Sequence, residues 1–407
     1  MYAATLRYHA GVFYVITTNF DGPGNFYVTA TDPAGPWSDP IFVDPEMFDP
    51  DLFFDEDGAV YYTRRGSFES KDLVQAKIDI ATGRLISPMR SIAKGFVSDD
   101  TEAPHIYKIN GWYYLLAAEG GSRFLHMATI ARSQTPAGPW EPCPHNPIFA
   151  QHHAWWHPIR SIGHGDLIED HQGNWWIVFL GTRHAYYDAF SAIGRETFLA
   201  PVRWENGWPV ILPQAMRQFE VEAPLLPQHP WPETPSRDDF DAPELKPAWV
   251  FPKFPQPDAV DLKSRPGFLR LSNALVGQRQ RDIEFTATTL LDDSDSAGIC
   301  VYQRDDFRYD LLRARRDGQR VIILRRQLGD LIHETLSPAP AGPLRLRITA
   351  DARQYHFSFA IPDGPFHEIG AAPVQLIATE VVGTWAGAIV GLFVTGASAD
   401  FDWFEYE

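Results

Sequence analysis

The chain has 407 residues, enough for two domains that each bury a core of their own. Its formal net charge of -17 argues against a nucleic-acid partner, because phosphate binding requires a basic surface. No apolar run reaches the roughly 20 residues of a membrane-spanning helix, so we expect no membrane partner.

A repeated pattern fills the first half of the chain. Each copy has a strand-like run, a turn glycine and a second run rich in aromatic and aliphatic residues. The four copies carry their turn glycines at Gly11, Gly58, Gly111 and Gly173. These glycines lie roughly 50 residues apart, close to the length of one four-stranded propeller blade. The pattern therefore predicts an all-β protein that begins with about four blades of a β-propeller.

The end of the repeats divides the chain. Residues 1–212 carry the propeller pattern, and the Pro-rich residues 213–237 have no periodicity and predict a linker. Residues 238–407 contain short alternating runs separated by DG, DD and PG turns, which predict a C-terminal β-sandwich.

Four residues share one phase of the repeat, nine positions before each turn glycine. They are Tyr2, Asp49, Glu102 and His164. Equivalent positions of propeller blades converge beside the central channel, so we expect these side chains to meet. Two carboxylates and a histidine at one place indicate a site, because buried carboxylates need partners or a raised pKa. Alternatively, His164 is a structural histidine.

The DPD and DED motifs of the second repeat have a competing interpretation. Asp51, Asp55 and Asp57 could bond the backbone of their own turns, which is the usual role of aspartate at a strand end. These three residues are therefore weaker site candidates than the residues in the shared phase.

Two carboxylates with aromatic residues nearby are what glycoside hydrolysis requires. One carboxylic acid protonates the leaving oxygen, and a second carboxylate activates water or attacks the sugar. Arg195, in the motif GRETFLAP, could bind a sugar hydroxyl or orient a carboxylate through its planar guanidinium. The alternative is an ordinary surface arginine.

The longer motifs resemble glycoside hydrolase family 43, in its β-xylosidase and α-L-arabinofuranosidase branch with an appended β-sandwich. The matching stretches include FDPDLFFDEDG, EAPHIYKINGWYYLLAAEGG, GHGDLIED, GRETFLAPVRWENGWPV and the closing DFDWFEYE. The resemblance covers essentially the whole chain. It implies a five-bladed propeller and inverting hydrolysis that releases non-reducing-end xylose or arabinose from xylo-oligosaccharides or arabinoxylan fragments.

The resemblance also implies residue roles. Glu102 of EAPHIYK would be the general acid, and Asp49 of FDPDLFF would tune its pKa and orient it. His164 of GHGDL matches a channel histidine that in many relatives holds a calcium ion or an ordered water. No other cofactor is expected. Arg195 matches the arginine that binds sugar hydroxyls.

Other matching positions line the implied sugar pocket. Phe48 and Ser122 would lie along it, and Tyr2 stands where relatives usually carry tryptophan. In this branch an aromatic residue from a sandwich loop closes the pocket, and GTWAG places Trp385 where phenylalanine is common.

One departure from the family pattern concerns the general base. The family's base is an aspartate in the first blade. This chain starts at what resembles the second blade, so we expect the first blade and its aspartate to be absent. Asp21, Asp32, Asp99 and Asp100 have no motif that supports them as replacements.

Three interpretations follow from this departure. The chain could be a working glycosidase that recruits its base from elsewhere, for example from another subunit that covers the gap in a homo-oligomer. It could also be a truncated inactive form, or a protein that binds sugar without hydrolysing it. A pure interaction propeller is disfavoured, because such a protein has no reason to keep Asp49, Glu102 and Arg195.

The cysteines and the start of the chain bear on its compartment. Cys143 and Cys300 fall in different predicted domains, so we expect no disulfide. The start lacks the charged and apolar regions of a signal peptide, which predicts a cytoplasmic protein unless an export signal precedes it.

Overall fold

Strands make up almost all of the regular structure in a computed structural model of the protein, which describes residues 1–152, 156–187, 189–231 and 235–407. The chain divides into two compact units. The first unit comprises Met1–Gly181 and Thr197–Leu226, and the second comprises Thr182–Glu196 and Pro227–Glu407. No helix within the described ranges is long and apolar enough to cross a membrane.

Four consecutive antiparallel sheets, named A to D, build the first unit, and each follows the chain from its inner to its outer strand. Sheet A contains β1 (Thr5–His9), β2 (Val12–Asn19), β3 (Gly24–Ala30) and β4 (Ile41–Asp44). Sheet B contains β5 (Asp51–Phe54), β6 (Val60–Arg65), β7 (Leu73–Asp79), β8 (Arg84–Leu85) and β9 (Arg90–Ala93). Sheet C contains β10 (Thr101–Ile109), β11 (Trp112–Glu119), β12 (Met127–Ser133), β13 (Glu141–Pro142) and β14 (Phe149–Ala150). Sheet D contains β15 (Ile159–Glu169), β16 (Trp175–Arg183), β17 (Arg195–Glu205) and β18 (Trp208–Ile211).

The four turn glycines join the first and second strand of each sheet. Gly11, Gly58, Gly111 and Gly173 all have φ between 79° and 85°. A Cβ at Gly111 would meet no atom within 4 Å, so that position needs glycine for its backbone angle and not for space.

Neighbouring sheets of the first unit pack face to face. Ile16 and Tyr27 of sheet A join Leu52 of sheet B in one buried cluster. Other clusters link sheet B to sheet C and sheet C to sheet D, the latter through Leu116 and Ile177. This pairwise packing of consecutive four- and five-stranded sheets is the blade arrangement that the repeats predicted, and the propeller-type fold is confirmed.

The second unit is the predicted β-sandwich. Its sheet E contains β19 (Arg237–Asp238), β20 (Val260–Asp261), β21 (Leu269–Ser272), β23 (Phe285–Leu291), β28 (Leu344–Ala350), β29 (Gln354–Ala360), β30 (His367–Pro373) and β32 (Ser398–Tyr406). Its sheet F contains β22 (Leu275–Arg279), β24 (Ala297–Arg304), β25 (Phe307–Arg316), β26 (Gln319–Leu328), β27 (Leu331–Pro338) and β31 (Ile389–Val394). Both sheets contribute to one core, for example through Leu346 and Phe404 of sheet E and Leu311 of sheet F.

The helical segments are short. In the described ranges they are two 3₁₀ helices at Ala215–Arg217 and Val374–Ile377, and the α-helix α1 at Thr379–Val382. Cys143 and Cys300 are both free and buried, and burial raises the pKa of the Cys300 thiol to about 12.

Candidate active site

Three residues of the shared repeat phase meet in the first unit. Asp49 lies two residues before β5, whereas Glu102 lies in β10 and His164 in β15. One polar atom from each of the three side chains lies within 4.8 Å of the other two. The Nε2 atom of His164 is 3.9 Å from Oδ2 of Asp49. The convergence expected from the repeat phase is therefore present.

The backbone departs from regular strand geometry at each of these positions. Asp49 and His164 have φ of 56° and 50°, and Ala103, next to Glu102, has φ of 49°. The pairing of β10 with β11 also shifts register between Glu102 and His105. Left-handed backbone at non-glycine residues is uncommon and clusters at functional sites, where it redirects side chains out of the normal alternation.

The carboxyl group of Glu102 is held at both oxygens. Arg65 Nη1 lies 3.4 Å from Oε2, and the Ser122 hydroxyl donates to Oε1 over 3.4 Å. The Glu102 side chain is 13 % exposed, so the carboxyl group is largely shielded from water. Ser122, predicted to line the pocket, therefore contacts the predicted general acid directly.

Arg65 was missed by the sequence reasoning, because it lies in β6 outside the repeat phase. Its Nη2 donates to Asp100 Oδ1 over 2.9 Å, and its Nη1 donates to the carbonyl oxygen of Thr101 over 3.1 Å. Asp100, one of the aspartates without a supporting motif as replacement base, is thus paired with a cation. Asp32 accepts a hydrogen bond from the backbone amide of Ala34 in its own turn.

Aromatic rings form a wall beside the carboxylates. Tyr2 stacks on Phe20 with ring centroids 5.1 Å apart, and its ring meets the edge of Phe48 at 5.5 Å. Phe68 lies 5.9 Å from Phe48 and is 62 % exposed, while Tyr2 is 48 % exposed. The sequence predicted Tyr2 and Phe48. It missed Phe20 and Phe68, whose loops carry no repeat signal.

A group of charged side chains, here called the ionic layer, lies further along the strands that carry the site. Its members are Arg7, Asp51, His105 and Asp166. Arg7 of β1 contacts Asp51 at 2.8 Å, Asp166 at 2.7 Å and His105 Nδ1 at 3.0 Å. Burial would raise the pKa of Asp166, but the charges of Arg7 and His105 and hydrogen bonds from Arg7 and Tyr107 lower it to about 2. Asp51 follows Asp49 by two residues and Asp166 follows His164 by two, so this layer connects the strands that carry the site.

The turn-capping interpretation is correct for part of the second repeat. Asp57 accepts a hydrogen bond from the amide of Ala59 and Asp55 accepts one from the amide of Glu56. Asp51 behaves differently, because it joins the Arg7 layer and accepts a hydrogen bond from the amide of Ile106.

The other two predicted residues lie in the second unit, which includes Arg195 and Glu196 at the start of β17 although the rest of that strand belongs to the first unit. The Arg195 guanidinium lies over the Trp385 ring at 5.6 Å, and the Arg195 amide donates to the Trp385 carbonyl oxygen over 3.3 Å. Gly194 pairs with Ala386 in an isolated β-bridge, which fixes the two segments together. The predicted residues thus form two groups, with Tyr2, Phe48, Asp49, Glu102, Ser122 and His164 in the first unit and Arg195 and Trp385 in the second.

Comparison with protein families assigns both units. Residues 1–209 match glycosyl hydrolases family 43, and residues 237–407 match the β-xylosidase C-terminal concanavalin A-like domain. The chain belongs to glycosyl hydrolase family 43. The resemblance read from the motifs is confirmed, and this family 43 chain is a glycoside hydrolase.

The family 43 chain is similar to proteins named as arabinofuranosidases and xylosidases. It is 38 % identical to a non-reducing end α-L-arabinofuranosidase of Bacteroides ovatus over 100 % of this chain and 81 % of that protein. It is 30 % identical to a xylan 1,3-β-xylosidase of a Vibrio species over 100 % of this chain and 86 % of that protein.

Solved structures of family 43 agree with the fold. A Bacteroides ovatus GH43B structure from a xyloglucan PUL has a TM-score of 0.93 and 37 % identity, with 100 % of this chain and 85 % of that chain covered. A xylan β-1,4-xylosidase of Bacillus halodurans has a TM-score of 0.92 and 30 % identity, with 100 % and 86 % covered.

The resemblance implies either a calcium ion or an ordered water at His164, and the site of this family 43 chain fits the calcium ion poorly. Asp49, Glu102 and His164 supply two carboxylates and one imidazole nitrogen. Calcium prefers six to eight oxygen ligands, and an imidazole nitrogen suits transition metals better. The arrangement suits proton transfer between a side chain and the substrate. These groups need no metal ion for that reaction.

Proposed function

We propose that this family 43 enzyme releases non-reducing-end xylose or arabinose from xylo-oligosaccharides or arabinoxylan fragments, with inversion at the anomeric carbon. The observation that carries the proposal is the placing of Glu102 within 4.8 Å of Asp49 and His164, beside the exposed rings of Tyr2 and Phe68. Aromatic faces pack against sugar rings, and paired carboxylates perform the acid chemistry of glycoside hydrolysis. The names of the arabinofuranosidase and xylosidase relatives support a pentose substrate.

Glu102 is the general acid in this proposal. Its carboxyl group lies beside that of Asp49, the residue that the family resemblance assigns to tuning and orienting the acid. As the glycosidic bond breaks, its electron pair goes to the leaving oxygen, and Glu102 delivers its proton to that oxygen.

Asp49 modulates the acid and does not activate the water. An inverting hydrolase needs about 6.5–9.5 Å between the acid and the carboxylate that removes the water proton. Asp49 is closer than this, since one of its oxygens lies within 4.8 Å of a Glu102 oxygen. Asp49 is therefore not the water-activating base. The family resemblance assigns that role to an aspartate of the first blade, and no motif of this chain supplies a replacement.

The first test measures turnover and stereochemistry together. We expect the protein to cleave an aryl β-xyloside or an aryl α-arabinofuranoside, and NMR of the first-formed sugar to show the anomer opposite to the substrate. Retention would exclude the inverting mechanism. No turnover of either substrate, with binding of the free pentose intact, would favour the alternative of a sugar-binding protein. That alternative draws support from the cluster itself, which joins only two carboxylates among the described residues.

Replacing the acid makes a sharper prediction. We expect Glu102→Ala to lower kcat about 10²–10⁴-fold on pentosides with poor leaving groups, since these need protonation. Dinitrophenyl pentosides need little protonation and should keep nearly the wild-type rate. Steady-state kinetics across a leaving-group series measures the difference, and an equal loss on all substrates would remove Glu102 from the acid role.

A further inference from the structure

Arg65 joins two sheets at the candidate site. It is the last residue of β6 in sheet B, and it is only 4 % exposed. Its guanidinium reaches the start of β10 in sheet C, where it contacts Asp100, the carbonyl oxygen of Thr101 and the carboxyl group of Glu102. An arginine so deeply buried requires partners, and these three hydrogen-bond partners of its side chain all belong to the segment that carries the predicted acid.

The Arg65 side chain is held in one orientation. The rings of Phe48 and Phe68 lie 5.4 Å and 5.9 Å from the guanidinium, which is the range of cation–π contact. The Arg65 amide also donates to the carbonyl oxygen of Phe48, the residue before Asp49. Arg65 therefore contacts the segments that carry both predicted carboxylates.

The neighbouring arginine shows a different arrangement. Arg64 donates to Asp44 of sheet A and to the backbone carbonyl oxygens of Arg65 and Gly66, so its contacts hold the end of β6 and join it to sheet A. Arg65 differs because one of its contacts is Oε2 of Glu102, the group proposed to transfer the proton.

We propose that Arg65 is a positioning residue that determines which oxygen of Glu102 carries the acid proton. A guanidinium is a donor only, so Oε2 facing Arg65 must act as an acceptor. When Glu102 is protonated, its proton therefore resides on Oε1, beside the Ser122 hydroxyl, which can accept as well as donate. Asp100 stabilises this geometry by holding the other guanidinium nitrogen. The inference rests on the proposed role of Glu102 as general acid.

The test compares Arg65→Met with wild type on a series of aryl pentosides and a pentose disaccharide. We expect kcat to fall about 10–100-fold on poor leaving groups, because a misplaced catalytic group costs roughly that much, and less than about threefold on dinitrophenyl pentosides. KM should stay near the wild-type value. Arg65→Lys should recover part of the loss, since a single ammonium can still donate to Oε2.

Controls separate positioning from folding. Arg132→Met removes another arginine of the first unit that pairs with a glutamate, Glu141, on outer strands, and we expect it to leave the leaving-group series unchanged. Thermal unfolding of each variant verifies that it is folded. If Arg65→Met does not fold, Arg65→Lys carries the test, because it too should lose more on poor leaving groups.

Four results would overturn the inference. A uniform loss across the leaving-group series would mean that Arg65 serves structure only. A leaving-group dependence in Glu102→Ala but not in the Arg65 variants would refute the role of Arg65 and leave the acid assignment standing. If Glu102→Ala shows no leaving-group dependence, or if the wild-type protein shows no turnover, the proposed function is refuted and this inference with it.

Discussion

Glu119 is fully buried, yet its environment is that of a structural residue. Its carboxylate accepts hydrogen bonds from the amides of Phe96, Val97 and Ser98 and from the hydroxyl of Thr129. These bonds hold the segment that precedes β10 and therefore the approach to Glu102. At the scale of the residue, an acidic side chain of the first unit is assigned to structure or to chemistry by what surrounds it.

Removing this carboxylate should destabilise the first unit. We expect Glu119→Ala to lower the free energy of unfolding by about 3 kcal/mol or more, because several buried donors lose their acceptor. Denaturant titration measures the loss. The matched control is Glu141→Ala, whose side chain is 54 % exposed in an ion pair with Arg132 and should cost less than about 1 kcal/mol. Equal losses in the two variants would contradict the structural role of Glu119.

The hairpins set the phase of the site at the scale of the element. Each turn glycine fixes where its inner strand ends. The residues nine positions before three of these glycines are Asp49, Glu102 and His164, and they consequently lie close together. Two glycines of these hairpins are required for different reasons. Gly111 needs its φ of 79°, whereas a Cβ at Gly165 of β15 would lie 2.7 Å from Cδ1 of Ile177.

These two causes predict opposite responses to asparagine. We expect Gly111→Ala to cost about 1 kcal/mol from the left-handed angle, and Gly111→Asn to recover most of it, since asparagine tolerates that region. Gly165→Ala should cost about 1–3 kcal/mol by overpacking, and Gly165→Asn should cost more. Unfolding free energies of the four variants check this. Recovery by asparagine at position 165 would refute the steric explanation.

At the scale of the whole molecule, each unit has its own core, and the first unit also has an ionic layer. Arg7 contacts groups from three other inner strands, namely Asp51, His105 and Asp166. The attraction of these carboxylates raises the pKa of Arg7 although burial opposes it, so its charge is retained. The layer therefore ties together the inner strands of all four sheets beneath the candidate site.

Breaking this layer should cost more than an ordinary ion pair. We expect Arg7→Met to lower the free energy of unfolding by about 3–5 kcal/mol, because it leaves the buried carboxylate of Asp51 and the partly buried one of Asp166 without their cation. Denaturant titration followed by tryptophan fluorescence measures the change. Glu56→Gln is the control, since Glu56 is 81 % exposed in its pair with Lys108. A loss below about 1 kcal/mol in Arg7→Met would contradict the importance of the layer.

The all-β class, the blades and the meeting of Asp49, Glu102 and His164 could be predicted from the amino-acid sequence, because they depend on a local period that glycine turns impose on each hairpin. The family could be recognised from contiguous motifs for the same reason. The contacts of Arg65, Phe20, Phe68 and Arg7 could not be predicted in this way, since each joins segments from different turns or sheets. Such contacts are decided by side-chain packing between elements distant in the chain, which only the tertiary structure specifies.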